Sequence, residues 1–340
     1  MSKNNKCDSC GGSKEFNPAI QKLQCKKCGA VEDFEQTSEF NYHAFDMNAD
    51  VVEPEFNPEI QSYHCSNCGA IFKVDNISIS DTCEYCGANL VVDFSLSKAS
   101  EPDGCIPFAF DEKSAVDRFK IGLKKKWFLP NKFKKSLPSS KIESVYIPAY
   151  VVNVNSENSY VGRIYNTYRD SDGDSHRDYR KISGHTEVMT RDILIECSSK
   201  INQLTLDNIR PFDINQMKKY TSEYLMGYSV EYYDKKLEDA KSLIKQTVEH
   251  DVRKAILRRY NYDGVDYLTI NTTYKSSDYA RVLLPTYSVA YKYKDKEYNT
   301  FMNGQTGKVG GNLPRSKWKI FSFVTAIVAA VIAFVILICK

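Results

Sequence analysis

Eight of the eleven cysteines fall into four Cys-x-x-Cys pairs: Cys7/Cys10, Cys25/Cys28, Cys65/Cys68 and Cys83/Cys86. Fourteen residues separate the first pair from the second, and fourteen separate the third from the fourth. Two knuckles at that spacing bring four thiolates onto one tetrahedral zinc ion. The glycine after each pair (Gly11, Gly29, Gly69, Gly87) suits the tight backbone turn that aims amides at sulfur. A disulfide framework belongs to oxidising compartments, and a redox Cys-x-x-Cys normally stands once, at a helix start after a strand. The spacing therefore predicts two Zn2+ sites. Four thiolates leave no open coordination position, so both sites read as structural, worth on the order of 10–16 kcal/mol to units too small to fold alone.

The stretch "FNPAIQKLQCKKCGA" from Phe16 returns forty residues later as "FNPEIQSYHCSNCGA" from Phe56. This offset superposes the second knuckle of the first site on the first knuckle of the second, so the repeated unit is half a site: an approach strand and one knuckle. Joining the two middle pairs instead would require a 36-residue insertion and strand the outer pairs. Cys105, Cys197 and Cys339 have no partner at ligand spacing; two read as small buried hydrophobes and the third as a thiol at the far end of an apolar segment.

That segment, "IFSFVTAIVAAVIAFVILIC" from Ile320 to Cys339, runs twenty residues without a charge. As a helix it measures about 30 Å, the hydrocarbon thickness of a bilayer. A buried core helix would ordinarily keep a polar face, and here only Ser322 and Thr325 interrupt the apolar run. Arg315, Lys317 and Lys319 precede the span, so the positive-inside rule places the residues before about 319 in the cytoplasm. The N-terminus, "MSKNNKCDSCGG", is polar and carries no signal-like apolar stretch. The expectation is a tail-anchored, single-pass cell-membrane protein.

Charge bears on what the ribbons touch. Residues 1–100 contain 8 Lys and Arg against 15 Asp and Glu, a net of −7, before any thiolate is counted. Nucleic-acid binding calls for clustered positive charge, and only Lys22, Lys26 and Lys27 make a local basic spot. A protein partner is the better expectation. The remaining residues hold 38 Lys and Arg against 28 Asp and Glu, a net of +10. Much of that lies in "KKKWFLPNKFKK", where Lys124, Lys125, Lys126, Lys132, Lys134 and Lys135 interleave with Trp127, Phe128 and Phe133. Two readings stand: a patch for anionic lipid or nucleic acid, or the solvated end of a helix with its aromatics turned inward.

In the middle of the chain a helix is expected from an N-cap at Asp111 to about Lys126, ahead of Pro130. Strands are expected at "SVYIPAYVVNVN", "SYVGRIYNTYR" and "RDYRKISGHTEV", the last two flanking a turn at "DSDGDS". Counted from Asp170, that turn has Ser175 and Lys181 where a calcium-binding loop needs Gly and Glu, so it reads as a hairpin tip. An amphipathic helix follows between Tyr232 and Tyr260, its stripe formed by Leu237, Ala240, Ile244, Val248, Val252, Ala255 and Ile256. "DYLTINTTYK", "ARVLLPTYSVAYKYK" and "EYNTFMN" read as strands, and "YIPAYVVNV" and "LLPTYSVAY" suggest a duplicated element in an antiparallel sheet. "NGQTGKVGG" resembles a phosphate loop only superficially. Met302 and Val309 occupy the places of the first glycine and the hydroxyl residue, so a hairpin turn is expected. The five histidines form no nucleophilic arrangement; His176 and His185 read as surface residues, and no catalytic residue is assigned.

The fold class expected is α+β: zinc ribbon 1 in residues 1–40, zinc ribbon 2 with its linker in 41–96, a mainly antiparallel β domain with helices in 97–314, and the membrane anchor in 315–340. The order of "CxxCG" ribbons, "IPF" (Ile106–Phe108), "YIPAY" (Tyr146–Tyr150), "IRPFD" (Ile209–Asp213), "YLMGY" (Tyr224–Tyr228), "LLPTY" (Leu283–Tyr287) and "FMNGQTGKVGGNLP" (Phe301–Pro314) resembles a family of Firmicute membrane proteins. These are the transcription-factor-IIB-type zinc-ribbon proteins of the YdjG type, often labelled as relatives of the primosomal helicase (replication factor Y). The resemblance carries over the eight cysteines as zinc ligands and no catalytic residue, and it implies envelope-stress partners of the phage-shock protein A or flotillin-like kind. "ECSS" (Glu196–Ser199) departs from the "VDGS" expected there. A helicase requires a Walker A loop and a second motor domain, and the sequence contains neither. The function expected is a membrane adaptor whose ribbons dock a cytoplasmic protein. The alternative is a membrane-associated nucleic-acid-binding protein using the ribbons and residues 124–135.

Overall fold

The computed structural model describes residues 6–50, 101–136, 142–198, 201–231, 233, 235–294 and 296–338, with four short strands between residues 62 and 91. The chain opens with β1 (Lys14–Asn17), β2 (Lys22–Cys25), β3 (Val31–Glu32) and β4 (His43–Phe45). Next come β5 (Ser62–His64), β6 (Ile71–Lys73), β7 (Ser80–Thr82), β8 (Asn89–Val91) and β9 (Gly104–Cys105), then helices α1 (Glu112–Lys124) and α2 (Asn131–Ser136). Long strands β10 (Ile142–Arg169) and β11 (Ser175–Glu196) lead through α3 (Gln203–Ile209), β12 (Lys218–Lys219) and β13 (Ser229–Val230) to α4 (Leu237–Leu257). Strands β14 (Gly264–Tyr293), β15 (Lys296–Asn303) and β16 (Val309–Gly311) precede the last helix, α5 (Lys317–Ile338).

The frame is a mainly antiparallel sheet centred on β10 and β14, which pair from Ile142↔Val289 to Tyr165↔Gly264. The other edge of β10 is taken by β13 at Val145 and Tyr146, then by β11 from Ala149 to Arg169. The other edge of β14 is taken in turn by β4, β9 and β15. Relaying short strands along the long ones leaves little open edge near the core. The sequence suggested separate strands on either side of "SEN" at 156–158 and of "SSDY" at 276–279, whereas each pair is continuous. Ser156 and Asn158 are fully buried, and Asn158 Nδ2 donates to Ser156 O (3.1 Å) and Thr186 O (3.3 Å). Buried polar groups whose donors find acceptors on the sheet read as a break in sequence and behave as strand interior in space.

Two layers of apolar contact flank the sheet. From Ser144 to Val152 every residue of β10 is buried, as expected of a central strand covered on both faces. Beyond Val154 burial alternates, because only one face is covered there. That cover is α4, which turns Leu237, Ile244, Val248, Val252 and Ile256 onto the sheet. The expected stripe is thus correct in phase, with Ala240 and Ala255 at its half-buried margin. On the opposite face Leu206, Ile209 and Phe212 pack against Ile147, Ala149, Val151, Val282 and Leu284. The two related motifs lie across from each other: Ile147 pairs with Leu284, its counterpart in "LLPTY", so "YIPAY" and "LLPTY" meet about a local pseudo-two-fold axis.

The predicted turns and caps are in place. Asp111 caps α1, accepting from Ser114 N at 2.9 Å, and this hydrogen-bonding to Ser114 lowers its pKa. At the hairpin tip Asp170 Oδ1 accepts from Asp172 N (3.0 Å) and Asp174 N (2.8 Å). His176 and His185 are exposed. The "NGQTGK" segment is a packed turn. Asn303 is fully buried, donates to Ile209 O (3.1 Å) and Pro211 O (2.8 Å), and accepts from Gln305 N (2.8 Å) and Thr306 N (2.9 Å). A side chain at Gly304 would stand 2.6 Å from the Phe108 ring, which is why glycine follows. Asn303→Ala should therefore cost about 2–4 kcal/mol by orphaning these groups, seen as a lowered unfolding temperature of the detergent-solubilised chain with its zinc content unchanged.

Candidate metal centre

The two N-terminal knuckles have the same backbone. Cys7 N donates to Gly12 O (2.7 Å) and Gly11 N to Cys7 O (2.8 Å); eighteen residues on, Cys25 N donates to Ala30 O (2.8 Å) and Gly29 N to Cys25 O (3.0 Å). Gly11 (φ 67°) and Gly29 (φ 78°) adopt the left-handed conformation that lets the chain double back. β1 and β2 carry the second knuckle at their end, with register Lys14↔Cys25 to Asn17↔Lys22.

The sulfurs of Cys7, Cys10, Cys25 and Cys28 all lie within 4.8 Å of one another. Cys7 Sγ is 3.6 Å from Cys28 Sγ and Cys10 Sγ is 3.5 Å from Cys25 Sγ. A tetrahedral zinc with Zn–S bonds near 2.3 Å requires sulfurs about 3.8 Å apart. The donor set and its spacing fit that ion. Amides are aimed accordingly: those of Ser9 and Cys10 lower the pKa of Cys7, and those of Cys28 and then Lys27 bring Cys25 down to about 6. Cys28 goes the other way. The amide of Ala30 favours its thiolate, but crowding by Cys10, Cys25 and Cys7, together with desolvation, raises it to about 12. Four thiolates this close cannot all ionise without a cation among them. A dication removes the conflict.

Cys65, Cys68, Cys83 and Cys86 lie outside the described residues. The described strands around them pair as β5 with β6 (Tyr63↔Phe72) and β7 with β8 (Asp81↔Leu90). Strand β7 also meets β13 at Ser80↔Val230, which ties this part of the chain to the central sheet. Cys105 and Cys197 are buried, the Cys105 thiol pushed up by desolvation; Cys339 lies outside the described residues.

The centre is locked to the body by residues that no motif search for ligands would select. Phe16 N donates to Met226 O (2.9 Å), and Tyr228 Oη donates to Phe16 O (3.3 Å). The Phe16 ring meets Tyr224 edge-on at 5.3 Å, and Phe34 meets the same tyrosine at 5.0 Å. Tyr228 stacks on Phe108 at 4.5 Å, and Phe108 reaches Tyr146 and Tyr287, each at 4.9 Å. Burial pushes the phenols of Tyr146, Tyr224, Tyr228 and Tyr287 up, so the cluster is uncharged. In sequence these residues stand only inside the "FNP", "IPF", "YIPAY", "YLMGY" and "LLPTY" segments, none of which carries a metal ligand.

Among the described residues no hydrogen bond or ion pair joins the lysines of the basic stretch to the metal centre. They close α1 and run into α2, at the root of α5. Lys124, Lys125, Lys126 and Lys132 are exposed, and Lys134 Nζ donates to Lys124 O at 3.0 Å. The aromatics divide: Phe133 is buried, whereas Trp127 is 56% exposed and Phe128 37%. Helix α5 is long and apolar enough to cross a membrane, and no part of its apolar window is buried by the body, as a core helix would be.

A four-cysteine centre fit for zinc, mounted on an α+β body with one membrane-competent helix, defines the class. Over 326 residues the chain is 28% identical to YdjG of Bacillus subtilis (strain 168), described as an uncharacterized protein; the match takes in 95% of this chain and 93% of YdjG. No family model matches the chain, and no solved structure matches it.

Two outcomes are expected of the centre. Cys25→Ser should release one zinc equivalent per chain, counted by elemental analysis of the purified protein. Zinc should also leave the centre as pH falls, followed by elemental analysis of the protein dialysed at each pH, because protonation of Cys25 removes a ligand. The sign follows from its lowered pKa: the stabilisation from Cys25 is complete above the ordinary thiol pKa of about 8.5 and fades as pH falls through 6.

Proposed function

We propose that this protein is a membrane adaptor. Helix α5 spans the cell membrane, the residues before about 319 face the cytoplasm, and two zinc ribbons dock a cytoplasmic or membrane protein. The first ribbon is the centre on Cys7, Cys10, Cys25 and Cys28; the second is built on Cys65, Cys68, Cys83 and Cys86 between the β5/β6 and β7/β8 hairpins. Both zinc ions are structural.

The observation that carries this reading is the state of the ribbon's lysines. Lys22 pairs with Asp33 (2.8 Å), Lys26 pairs with Glu15, and Lys14 pairs with Glu32 (2.8 Å). Of the basic spot seen in sequence, only Lys27 has no such pair among the described residues. A surface so neutralised, in a region of net −7, suits a protein partner better than a phosphate backbone. Helix α1 adds the geometry. Its first turn adjoins Phe108 and Phe110 of the ribbon-docking cluster, and its last turn leads to Trp127 and Phe128 beside α5. Its 13 residues, about 20 Å, separate ribbon from membrane helix as a strut. By the resemblance above, the partner is of the envelope-stress type. The alternative, nucleic-acid binding, would have to use residues 124–135.

The test is in-cell crosslinking followed by affinity capture of the tagged, detergent-solubilised protein. The expected result is protein partners that are retained in moderate salt, lost in Cys25→Ser and Cys65→Ser, and kept in Lys27→Glu, with no enrichment of nucleic acid. Nucleic acid lost steeply with salt, and lost in Lys27→Glu or Lys-to-Glu variants of 124–135, would replace this reading with the alternative.

A further inference from the structure

The root of α5 is clamped to the body. Lys319 Nζ donates to Trp127 O (3.1 Å), Leu129 O (2.9 Å) and Asn131 Oδ1 (2.7 Å), and Ser316 N donates to Phe128 O (2.7 Å). Trp127 and Phe128 then pack edge-on against Phe323, at 5.8 and 5.5 Å. Phe323 lies one turn along the helix from Ile320, about 4.5 Å deeper by helical rise. A loop carrying two exposed aromatics is thus held alongside the first turn of the apolar helix. This is the depth at which aromatic side chains sit in a bilayer interface.

Beside this loop is a cavity of about 1080 Å³, the size class of small-molecule sites. Its lining brings Lys125, Lys126 and Arg315 together with Trp127, Phe128 and Ile320, and the body closes it with the neutral residues Asn208, Tyr298 and 310–313. Among the described residues none of the three cations meets a carboxylate at ion-pair distance. Lys134 and Lys319 add positive charge at the same loop; burial and then the Lys319 charge lower the pKa of Lys134. The cavity thus combines three cations with apolar side chains at the root of the apolar helix, the mixture a phospholipid presents at an interface.

We propose that this cavity binds the phosphate-bearing headgroup of an anionic phospholipid from the leaflet that α5 enters. Lys125, Lys126 and Arg315 hold the phosphate, and Trp127, Phe128 and Ile320 line the start of the acyl chains. Charge complementarity and the amphipathic lining single out this occupant: free phosphate would leave the apolar wall unused, and nucleic acid would bring its charge against Phe323 and the membrane helix. The inference rests on α5 lying in a bilayer and is independent of what the ribbons dock. A lipid held here would fix the height of the body over the membrane.

The chain has two tryptophans, so Trp318→Phe leaves Trp127 as the sole reporter. Full-length Trp318→Phe protein is reconstituted into phosphatidylcholine vesicles containing a minority of brominated lipid, either phosphatidylglycerol or phosphatidylcholine. Brominated phosphatidylglycerol should quench Trp127 more strongly at equal mole fraction. Its preference should fall about fivefold for each charge removed in the series Lys125→Gln, Lys126→Gln and Arg315→Gln; these residues are exposed, so the variants fold. Equal quenching by both lipids, or a preference that survives the triple variant, overturns the proposal. So does displacement of the lipid by glycerol phosphate or by an oligonucleotide, which would assign the cations to free phosphate or to nucleic acid. Absence of quenching by either lipid overturns it by another route, showing that the loop does not lie in the bilayer; carbonate extraction of the same vesicles then tells whether α5 itself is inserted.

Discussion

The architecture depends on one buried aromatic path, from Phe16 and Phe34 of the ribbon through Tyr224 and Tyr228 to Phe108, Tyr146 and Tyr287 of the sheet. A zinc ribbon alone has almost no core, since its backbone is held by metal ligation and a few hydrogen bonds. Each edge-on or stacked pair along the path contributes about 0.5–1.5 kcal/mol beyond the area it buries. The gain is modest per pair but continuous over the whole junction. The segment that carries the cysteine cluster is therefore part of the body's core, and the hydrogen bond from Phe16 N to Met226 O fixes its register.

This explains why some features were legible in sequence and others were not. The candidate metal centre was readable because its chemistry is local: Cys-x-x-Cys, a glycine in the left-handed region, and a repeat of the same six-residue backbone from Cys7 and from Cys25. Helices α1 and α4 were readable because a cap at Asp111 and a 3.6-residue apolar period are also local. The continuity of β10 and β14 was not. At 156–158 it depends on Asn158 bonding to Thr186 on the neighbouring strand, a satisfaction remote in sequence that turns a polar tripeptide into strand interior; at 276–279 Ser277 Oγ donates to Phe45 O on β4. Nor was the meaning of the "NGQTGK" and "YLMGY" segments, whose residues contact elements far away in sequence: Asn303 holds the end of α3, and Tyr228 holds Phe16.

The basic stretch illustrates a limit of composition. In sequence its lysines and aromatics form one amphipathic run, and the question was whether that run is a binding patch or a helix end. The fold divides it. Leu129 and Phe133 turn into the core, Lys134 closes the last turn of α1, and Trp127 and Phe128 turn the other way onto α5. Lys319, counted in sequence only as a topology signal, is the group that organises the division, because its ammonium collects three acceptors from the 127–131 loop. A cation at the head of an apolar helix thus serves as a structural pin.

The cysteine cluster and the apolar helix are connected through the same packing. The thiolates of the first centre are held close enough that their charges conflict until a dication neutralises them, as the opposite shifts of Cys25 and Cys28 show. Without the ion, β1 and β2 lose the constraint at Cys25, and with it the placement of Phe16 on Tyr224. That contact sits on the cluster which continues through Phe108 and Phe110 into the first turn of α1, and α1 ends at the loop clamped to α5. A change at the cysteine cluster therefore has a packed route of side chains to the loop clamped to α5. The position of the metal centre, at the start of that route, follows from the physical need of a coreless ribbon to borrow a core.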